Sequence, residues 1–536
     1  MPHPHAVITA AQPESVEAGA DVLRAGGNAV DAAIACALTQ TVVDPQMCGI
    51  AGFGCLHVYD PATKTHETLD FYGRAPLAAT PDMWLSKLVA ETEDGFGFIL
   101  SDRANELGYG AIASPQTLRA LDAALTRYGT RSLGDLLEPA IRYARDGVMV
   151  RPHMAAFWNQ LPTEGRVPHA DFMTQVPATR RIYTRADGKL HAIGQTLKNP
   201  DLGTTLSHIA KRSAEDFYTG EIASRITDDM KAHGGLLSAA DLEACAHEIT
   251  PPLWGTYRGH RIAANAPPGG GVKMIEMLNI LENFDLKSMG HNSPDYIATI
   301  CEAMKIGAAD RDRTHGDPKF LDVPVAALTS KDYAKDHAQR IMRGEKAHVP
   351  RMGSKESADT THVCVVDRAG MCVTLTHTLG MPSGVVTEGL GFMYNGAMGA
   401  FDPRPGRAGS IAPGKARMSS MAPTIVFKGD QPFFVVGAPG GTYITPGILQ
   451  AILNVVDFGM TALEAISAPR VCATSDTIWI TNRILRSTEA ELLARGYPVK
   501  RSPFPYYFAG VHGIRIVDGI ADGAADPGRD GMALAV

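Results

Sequence analysis

No stretch of this chain is apolar for long enough to cross a bilayer. The most apolar long segment, Ala29 to Val43, is interrupted by Asp31 and Gln40 and falls short of the roughly 20 residues a spanning helix requires, so it reads as a core helix. Blocks of like charge are also missing. The formal net charge of -7 is scattered, and no Lys/Arg stripe with interleaved aromatics supplies the electrostatic footprint of nucleic-acid or anionic-membrane binding. Both partner classes are excluded. The eight cysteines (Cys36, Cys48, Cys55, Cys245, Cys301, Cys364, Cys372 and Cys472) include no CxxC pair, which argues against a zinc knuckle and a disulfide framework and leaves buried reduced thiols. The opening MPHPHAVITAAQPES has no basic segment and too short an apolar one for a secretory signal, so a cytoplasmic location is expected.

Several catalytic signatures are absent as well. Without G-x-S-x-G there is no serine-hydrolase elbow, and without H-E-x-x-H no zincin. The glycine run Pro268 to Lys273 lacks the GK[ST] ending that wraps a phosphate and reads as a helix-entry turn beside a pocket. Asp310, Asp312, His315 and Asp317 form the densest candidate metal cluster, but they alternate with Arg311 and Arg313 and fit a salt-bridged helix end better. No metal and no cofactor is expected.

What is present is a globular composition. With 45% hydrophobic and 20% charged residues over 536 positions, the chain buries a large core, as one big domain or two to three smaller ones. Pro13 opens a helix that the run Arg24-Ala25-Gly26-Gly27 stops, and Asn28 caps a second whose alanine-rich face predicts flat packing on a sheet. Helical spacing recurs from Pro115 to Tyr128, Ser132 to Asp146, Ser238 to Cys245, Val272 to Leu281, Pro294 to Ala309 and Leu463 to Ser467. Strand patterns fall at Cys55 to Tyr59, His362 to Asp367, Met371 to His377, Thr424 to Phe427 and Phe433 to Val436, so strands crowd the last third. The polar stretch Met342 to Ala358 is the one candidate boundary.

That boundary leads to Asp359-Thr360-Thr361. Strands Thr361 to Asp367 and Met371 to Thr378, joined across Asp367-Arg368-Ala369-Gly370, predict a β-hairpin buried on both faces. Two readings of the threonine pair are open from the residues alone. In one, β-branched side chains simply start a strand. In the other, the Thr360 hydroxyl attacks the Asp359 carbonyl, an N-to-O acyl shift gives an ester, and hydrolysis frees Thr360 as a new N-terminus. Its α-amine, with a reference pKa of about 7.7 to 8.0, then takes the hydroxyl proton far more readily than a lysine would at neutral pH.

The stretches TTHVCVVDRAG (Thr360 to Gly370), TLTHT (Thr374 to Thr378), RMSSMAPT (Arg417 to Thr424) and GAPGGTYI (Gly437 to Ile444) resemble the gamma-glutamyltransferase family of N-terminal-nucleophile hydrolases. So do RAGGNAVDAAIA near the start, MLNILE (Met277 to Glu282), AMKIGAADRDRTHGDP (Ala303 to Pro318) and DPGRDGMA (Asp526 to Ala533), in the family's order. The resemblance implies a four-layer αββα sandwich, mixed in its helices and strands. It also implies cleavage between Asp359 and Thr360 into a large subunit, 1–359, and a small subunit, 360–536, intertwined as one domain, with a homodimer of these left open. Thr360 aligns with the nucleophile, Thr378 with the threonine that steadies it, and Gly440 and Gly441 with the oxyanion-hole pair. Adjacent glycines let the main chain bring N–H donors close to a developing oxyanion. Ser419 and Ser420 align with the serine pair that holds the substrate's α-carboxylate.

Departures from the family pattern bear on the substrate. Tyr72 stands where the family has an arginine for the α-carboxylate, Gly380 replaces an asparagine, and Ala397 and Ala400 replace a glutamine and the acid that receives the α-ammonium. A buried ammonium without a carboxylate partner is strongly disfavoured, which points to a different acyl group. Arg74, two positions beyond Tyr72, would project to the same side of an extended segment and is expected to take over the carboxylate. The expected substrate is therefore a small amide. Its acyl group either is gamma-glutamyl in a modified pose or carries a carboxylate without an ammonium, as in the substrates of oxamate amidohydrolases and cephalosporin or glutaryl acylases. Hydrolysis is expected, with transfer to an acceptor amine open. The glycine- and proline-rich segment Asp402 to Lys415 reads either as a lid or as a plain surface loop. An unprocessed, non-enzymatic binding protein for an amide or peptide is the alternative of another class.

Overall fold

The computed structural model describes residues 3–92, 95, 97–160, 166–350, 360–504, 506 and 508–536. Its architecture rests on thirteen strands in two antiparallel sheets. From the first part of the chain come β1 (Val7–Ala11), β2 (Phe53–Asp60), β3 (Thr65–Phe71), β4 (Glu248–Thr250), β5 (Leu253–Tyr257) and β6 (His260–Ala264). From the last part come β7 (Thr361–Val366), β8 (Cys372–Thr378), β9 (Thr424–Lys428), β10 (Gln431–Gly437), β11 (His512–Val517), β12 (Ile520–Ala525) and β13 (Gly531–Ala535). The first sheet runs β13-β1-β7-β8-β2-β3-β4 and the second β12-β11-β10-β9-β6-β5. Both sheets therefore mix strands from before and after Thr360.

Side-chain alternation along β7 explains the layering. Val363 and Val365 point to one face and pack with Ala33 and Ala37 of helix α2 (Ala29–Val43). Cys364 and Val366 point to the other and join Val7, Ile425, Val435 and Ile514 in a core between the sheets. Beyond the second sheet, Ile262, Val426 and Val436 pack against α3 (Gly271–Leu281), α4 (Pro294–Thr314) and α5 (Ile444–Val456). The result is a four-layer αββα sandwich. Helix α2 lies on its sheet as its alanines require, with every residue buried, and α1 (Pro13–Arg24) crosses it closely. A Cβ added at Gly19 would come within 2.8 Å of the Ala32 carbonyl oxygen.

The hairpin, the Asn28 cap and most helix positions match the sequence reading. Asn28 accepts from the Val30 and Asp31 amides, and Asp31 returns the bond to the Asn28 N–H. Strands, however, are not concentrated in the last third. Strand β1 is short enough to pass for a polar-flanked apolar fragment, and β5 and β6 carry little alternation. Helix α5 escapes notice because Pro446-Gly447 looks like a turn, yet Pro446 sits in the first helical turn, where an N–H has no intrahelical acceptor to lose. Helix α4 runs to Thr314, so Arg311 and Arg313 lie in its last turn, paired with Asp312 and Asp310. All eight cysteines are buried thiols, and no helix among the described residues is long and apolar enough to cross a membrane.

Burial of histidines sets the response to acid. His57, His66, His153, His169, His315, His377 and His512 are held at about 3 to 4, and His362 well below its ordinary value, in each case mainly by desolvation. Four buried carboxylates, Asp44, Asp70, Glu276 and Asp367, and the less buried Asp122 and Asp530, are pushed up by the same cause and oppose this trend. The unfolded histidines bind protons near pH 6.5 and the folded ones do not, so their contribution is complete above that pH and drains away below it. Because histidines outnumber the raised carboxylates, the melting temperature should fall steadily from pH 6.5 to pH 4. A flat or rising profile would contradict this account.

Candidate active site

The hairpin register places the two threonines. Thr361 pairs with His377, so one step further the register sets Thr360 opposite Thr378. Both are nearly inaccessible, and both line one cavity of about 800 Å³. The Thr378 hydroxyl accepts from the Gly380 amide at 2.8 Å, which fixes its oxygen at the strand end. Behind the pair, Gln40 of α2 ties the two strands together. Its amide donates to the Thr361 hydroxyl at 3.0 Å, and its oxygen accepts from His377 Nε2 at 2.9 Å.

Neither neighbouring histidine is equipped as a base. His362 lies within hydrogen-bonding distance of the Thr374 and Thr376 hydroxyls between the sheets, and His377 faces α2. Burial holds both neutral through the physiological range.

Gly441 also lines the cavity, at the point where β10 turns into α5. Gly440 precedes it at φ 134°, and a Cβ there would lie 2.8 Å from Ala509 Cα; Gly441 has φ 56°. Only glycines turn the chain this tightly at the positive end of a helix. Across the cavity, Ser419 and Ser420 both line the wall. Ser419 Oγ accepts from the Met421 amide, and Arg311 Nη1 reaches Ser420 Oγ at 3.5 Å. The glycine run before α3 is indeed a helix-entry turn beside this wall. A Cβ on Gly270 would meet the Ser420 carbonyl oxygen at 2.6 Å.

The structure thus brings Thr360, Thr378, Gly441, Ser419 and Ser420 to one cavity, with Gly440 adjoining. Asp359 lies outside the described residues. Tyr72 and Arg74 are not brought there. Tyr72 is buried behind the wall, where its phenolic oxygen accepts from Asn265 Nδ2 at 2.7 Å and burial raises its pKa well above the ordinary value. The Arg74 expectation needs correction. Residue 74 bridges to Ser114 and Ala416 on either side, and its guanidinium binds Glu248 at 2.5 Å, Asp317 at 3.4 Å and the Gly414 carbonyl at 3.2 Å. The extended-chain rule places side chains by parity, but two carboxylates distant in sequence draw this one away from the cavity.

Of the arginines that do line the cavity, Arg311, Arg313, Arg404, Arg407 and Arg417, the one beside the serine pair in the chain is Arg417, two residues before Ser419 and missed in the sequence although it opens the RMSS motif. Its guanidinium lies 5.0 Å over the Phe53 ring, and burial lowers its pKa to about 10, which still leaves it charged at neutral pH. The carboxylates on the lining are already engaged. Asp402 and Glu91 face Arg404 at 2.7 and 3.5 Å, and Asp312 faces Arg311 at 2.5 Å. Ala397 and Ala400 leave no acid at their positions. Within the Asp402 to Lys415 segment, Asp402, Arg404 and Gly406 to Gly409 form part of the rim, which is pinned by Lys415 Nζ donating to the Ala408 and Ser410 carbonyls. The four residues of the candidate metal cluster turn to separate partners. Asp310 takes Arg313 and Tyr333, and Asp317 takes the Ala416 amide.

The family model for gamma-glutamyltranspeptidase matches residues 15–536. The chain belongs to the gamma-glutamyltranspeptidase family. Among curated relatives, the acylase ACY 1 proenzyme of Pseudomonas sp. (strain V22) is 37% identical, over 99% of this chain and 93% of that protein. The glutathione hydrolase proenzyme of Bacillus subtilis (strain 168) is 32% identical, over 99% and 91%. Among solved structures, the cephalosporin acylase from Bacillus halodurans superposes with a TM-score of 0.87 at 26% identity, covering 100% of this chain and 96% of that one. As a member of the gamma-glutamyltranspeptidase family, the chain is a self-processing amide hydrolase or acyltransferase of the N-terminal-nucleophile type, with a large and a small subunit after processing.

Proposed function

We propose that Thr360 is the nucleophile of this enzyme, freed by cleavage of the Asp359–Thr360 bond, and that the substrate is a small amide whose acyl group bears a carboxylate and no α-ammonium. In the reaction, the Thr360 α-amine takes the hydroxyl proton and Oγ1 adds to the amide carbonyl. The Gly440 and Gly441 N–H groups stabilise the oxyanion, helped by the positive end of α5. As the C–N bond breaks, the proton passes to the leaving amine, and water then hydrolyses the threonyl ester. Thr378 orients the attacking oxygen from across the hairpin. Transfer to a second amine follows the same path, with that amine in place of water.

The observation that carries the substrate reading is the composition of the wall beside Ser419 and Ser420. Among the described residues it presents the Arg417 guanidinium, whose Nε donates to the Met418 carbonyl, while the lining carboxylates Glu91, Asp312 and Asp402 each face another arginine. An acyl carboxylate finds a charge-assisted partner there, whereas an ammonium finds none. The similarity to acylases and glutathione hydrolases alike keeps gamma-glutamyl amides as the second reading. We also place the enzyme in the cytoplasm, a reading supported by its buried thiols.

Rates on glutaryl-p-nitroanilide and γ-glutamyl-p-nitroanilide separate the two readings. The glutaryl amide should show the higher kcat/KM, by about 10-fold or more, since leaving one buried ammonium unpaired is worth at least 1.4 kcal/mol. A preference for the γ-glutamyl amide would favour the second reading. Absence of both cleavage and turnover would return the binding-protein alternative.

A further inference from the structure

Gly380 occupies a position that matters through the space it leaves. It lies on the cavity wall at φ +78°, its amide bonded to the Thr378 hydroxyl. A Cβ built there would stand 3.0 Å from Arg417 Nη1 and 3.2 to 3.3 Å from the Phe53 ring. The first contact is tighter than a carbon and a guanidinium nitrogen normally accept, and any longer side chain would reach further into the volume that the guanidinium fills. The Phe53 ring is itself buried and closes the other side. A Cβ alone would push the Arg417 guanidinium back by a few tenths of an ångström, whereas a longer side chain at residue 380 would take its place, immediately beside the threonine pair.

We propose that Gly380 is a specificity-determining residue that acts through Arg417: the missing side chain admits the guanidinium to the acyl subsite, and restoring a side chain expels it. The inference rests on the reading of Arg417 as the carboxylate anchor and adds a coupling that this reading does not require. Its consequence is a change in head-group recognition, with the chemistry left in place. Residue 380 touches Thr378 through its main chain alone, and that bond survives a side-chain substitution. Asparagine is the replacement of choice, because it tolerates positive φ better than other residues. Head-group selection in this pocket is accordingly a property of two positions together.

The test is a double-mutant cycle on the self-processed enzyme, with Gly380→Asn, Arg417→Ala and the double variant. KM and kcat are measured for glutaryl-p-nitroanilide and γ-glutamyl-p-nitroanilide, and intact mass confirms cleavage in every variant. Gly380→Asn should raise KM for the glutaryl amide about 10-fold with kcat changed less than about 3-fold, and should add less than about 2-fold once Arg417 is alanine. Equal effects of Gly380→Asn in both backgrounds would overturn the coupling while leaving the carboxylate reading intact. A wild-type preference for the γ-glutamyl amide would overturn that reading and the inference with it. Should Gly380→Asn fail to fold, Gly380→Asp carries the same test, since aspartate also tolerates positive φ and its carboxylate would occupy the Arg417 guanidinium.

Discussion

Thr360→Ala should leave a single uncut chain after prolonged incubation, while the wild-type protein resolves by intact mass into fragments ending at Asp359 and beginning at Thr360. The same variant should lose amide hydrolysis by on the order of 10⁴-fold or more, because one residue supplies both the attacking hydroxyl and, once cleaved, the α-amine that deprotonates it. The two histidines flanking it do not substitute. His362 and His377 are neutral and hydrogen-bonded away from the cavity, one between the sheets and the other to Gln40. Thr361, the next hydroxyl, faces α2 and accepts from Gln40. Cleavage of the alanine variant at the same bond, or retention of more than a few per cent of turnover, would remove Thr360 from its proposed role.

Arg417→Ala and Arg74→Ala should behave in opposite ways. Truncating Arg417 removes a charged donor set from the subsite of the acyl carboxylate, and charge-assisted hydrogen bonds of this kind contribute about 1.5 to 3 kcal/mol each. KM for a glutaryl amide should therefore rise by roughly 100-fold, with kcat much less affected. Arg74→Ala should leave KM within about 3-fold and instead lower the melting temperature. Its loss strips Asp317, a buried carboxylate, of its arginine and leaves the Ala416 and Lys319 amides as its donors, a change worth about 1 to 3 kcal/mol. The two substitutions on one panel distinguish an anchor in the cavity from a brace behind it. A large KM effect from Arg74→Ala, with none from Arg417→Ala, would reverse the assignment.

How far the sequence reaches differs by feature. The hairpin was legible because both strands are continuously apolar or β-branched and a glycine turn joins them, and the register then followed from the turn. The Asn28 capping box and the alanine face of α2 were legible for the same local reason. The edge and middle strands β1, β5 and β6 were not, since short segments owe their strand state to neighbours that the local pattern does not contain. Helix α5 was hidden by a proline that is harmless only at the position it occupies.

The site divides along the same line. The sequence by itself determined the nucleophile candidate, its partner threonine, the diglycine turn and the serine pair, since each is a contiguous motif whose backbone conformation is largely local. It also raised the expectation that the acid and the arginine that would clamp an amino-acid head group are missing. Tertiary structure alone decided where the cations point. Arg74 and Arg417 are both arginines near a strand end, and their long side chains can turn either way. Glu248 and Asp317, 174 and 243 residues from Arg74, draw the first out of the cavity. The gap left by Gly380 against Phe53 admits the second. The direction of a flexible charged side chain is set by the charges and voids that the fold assembles around it, and these are distant in sequence.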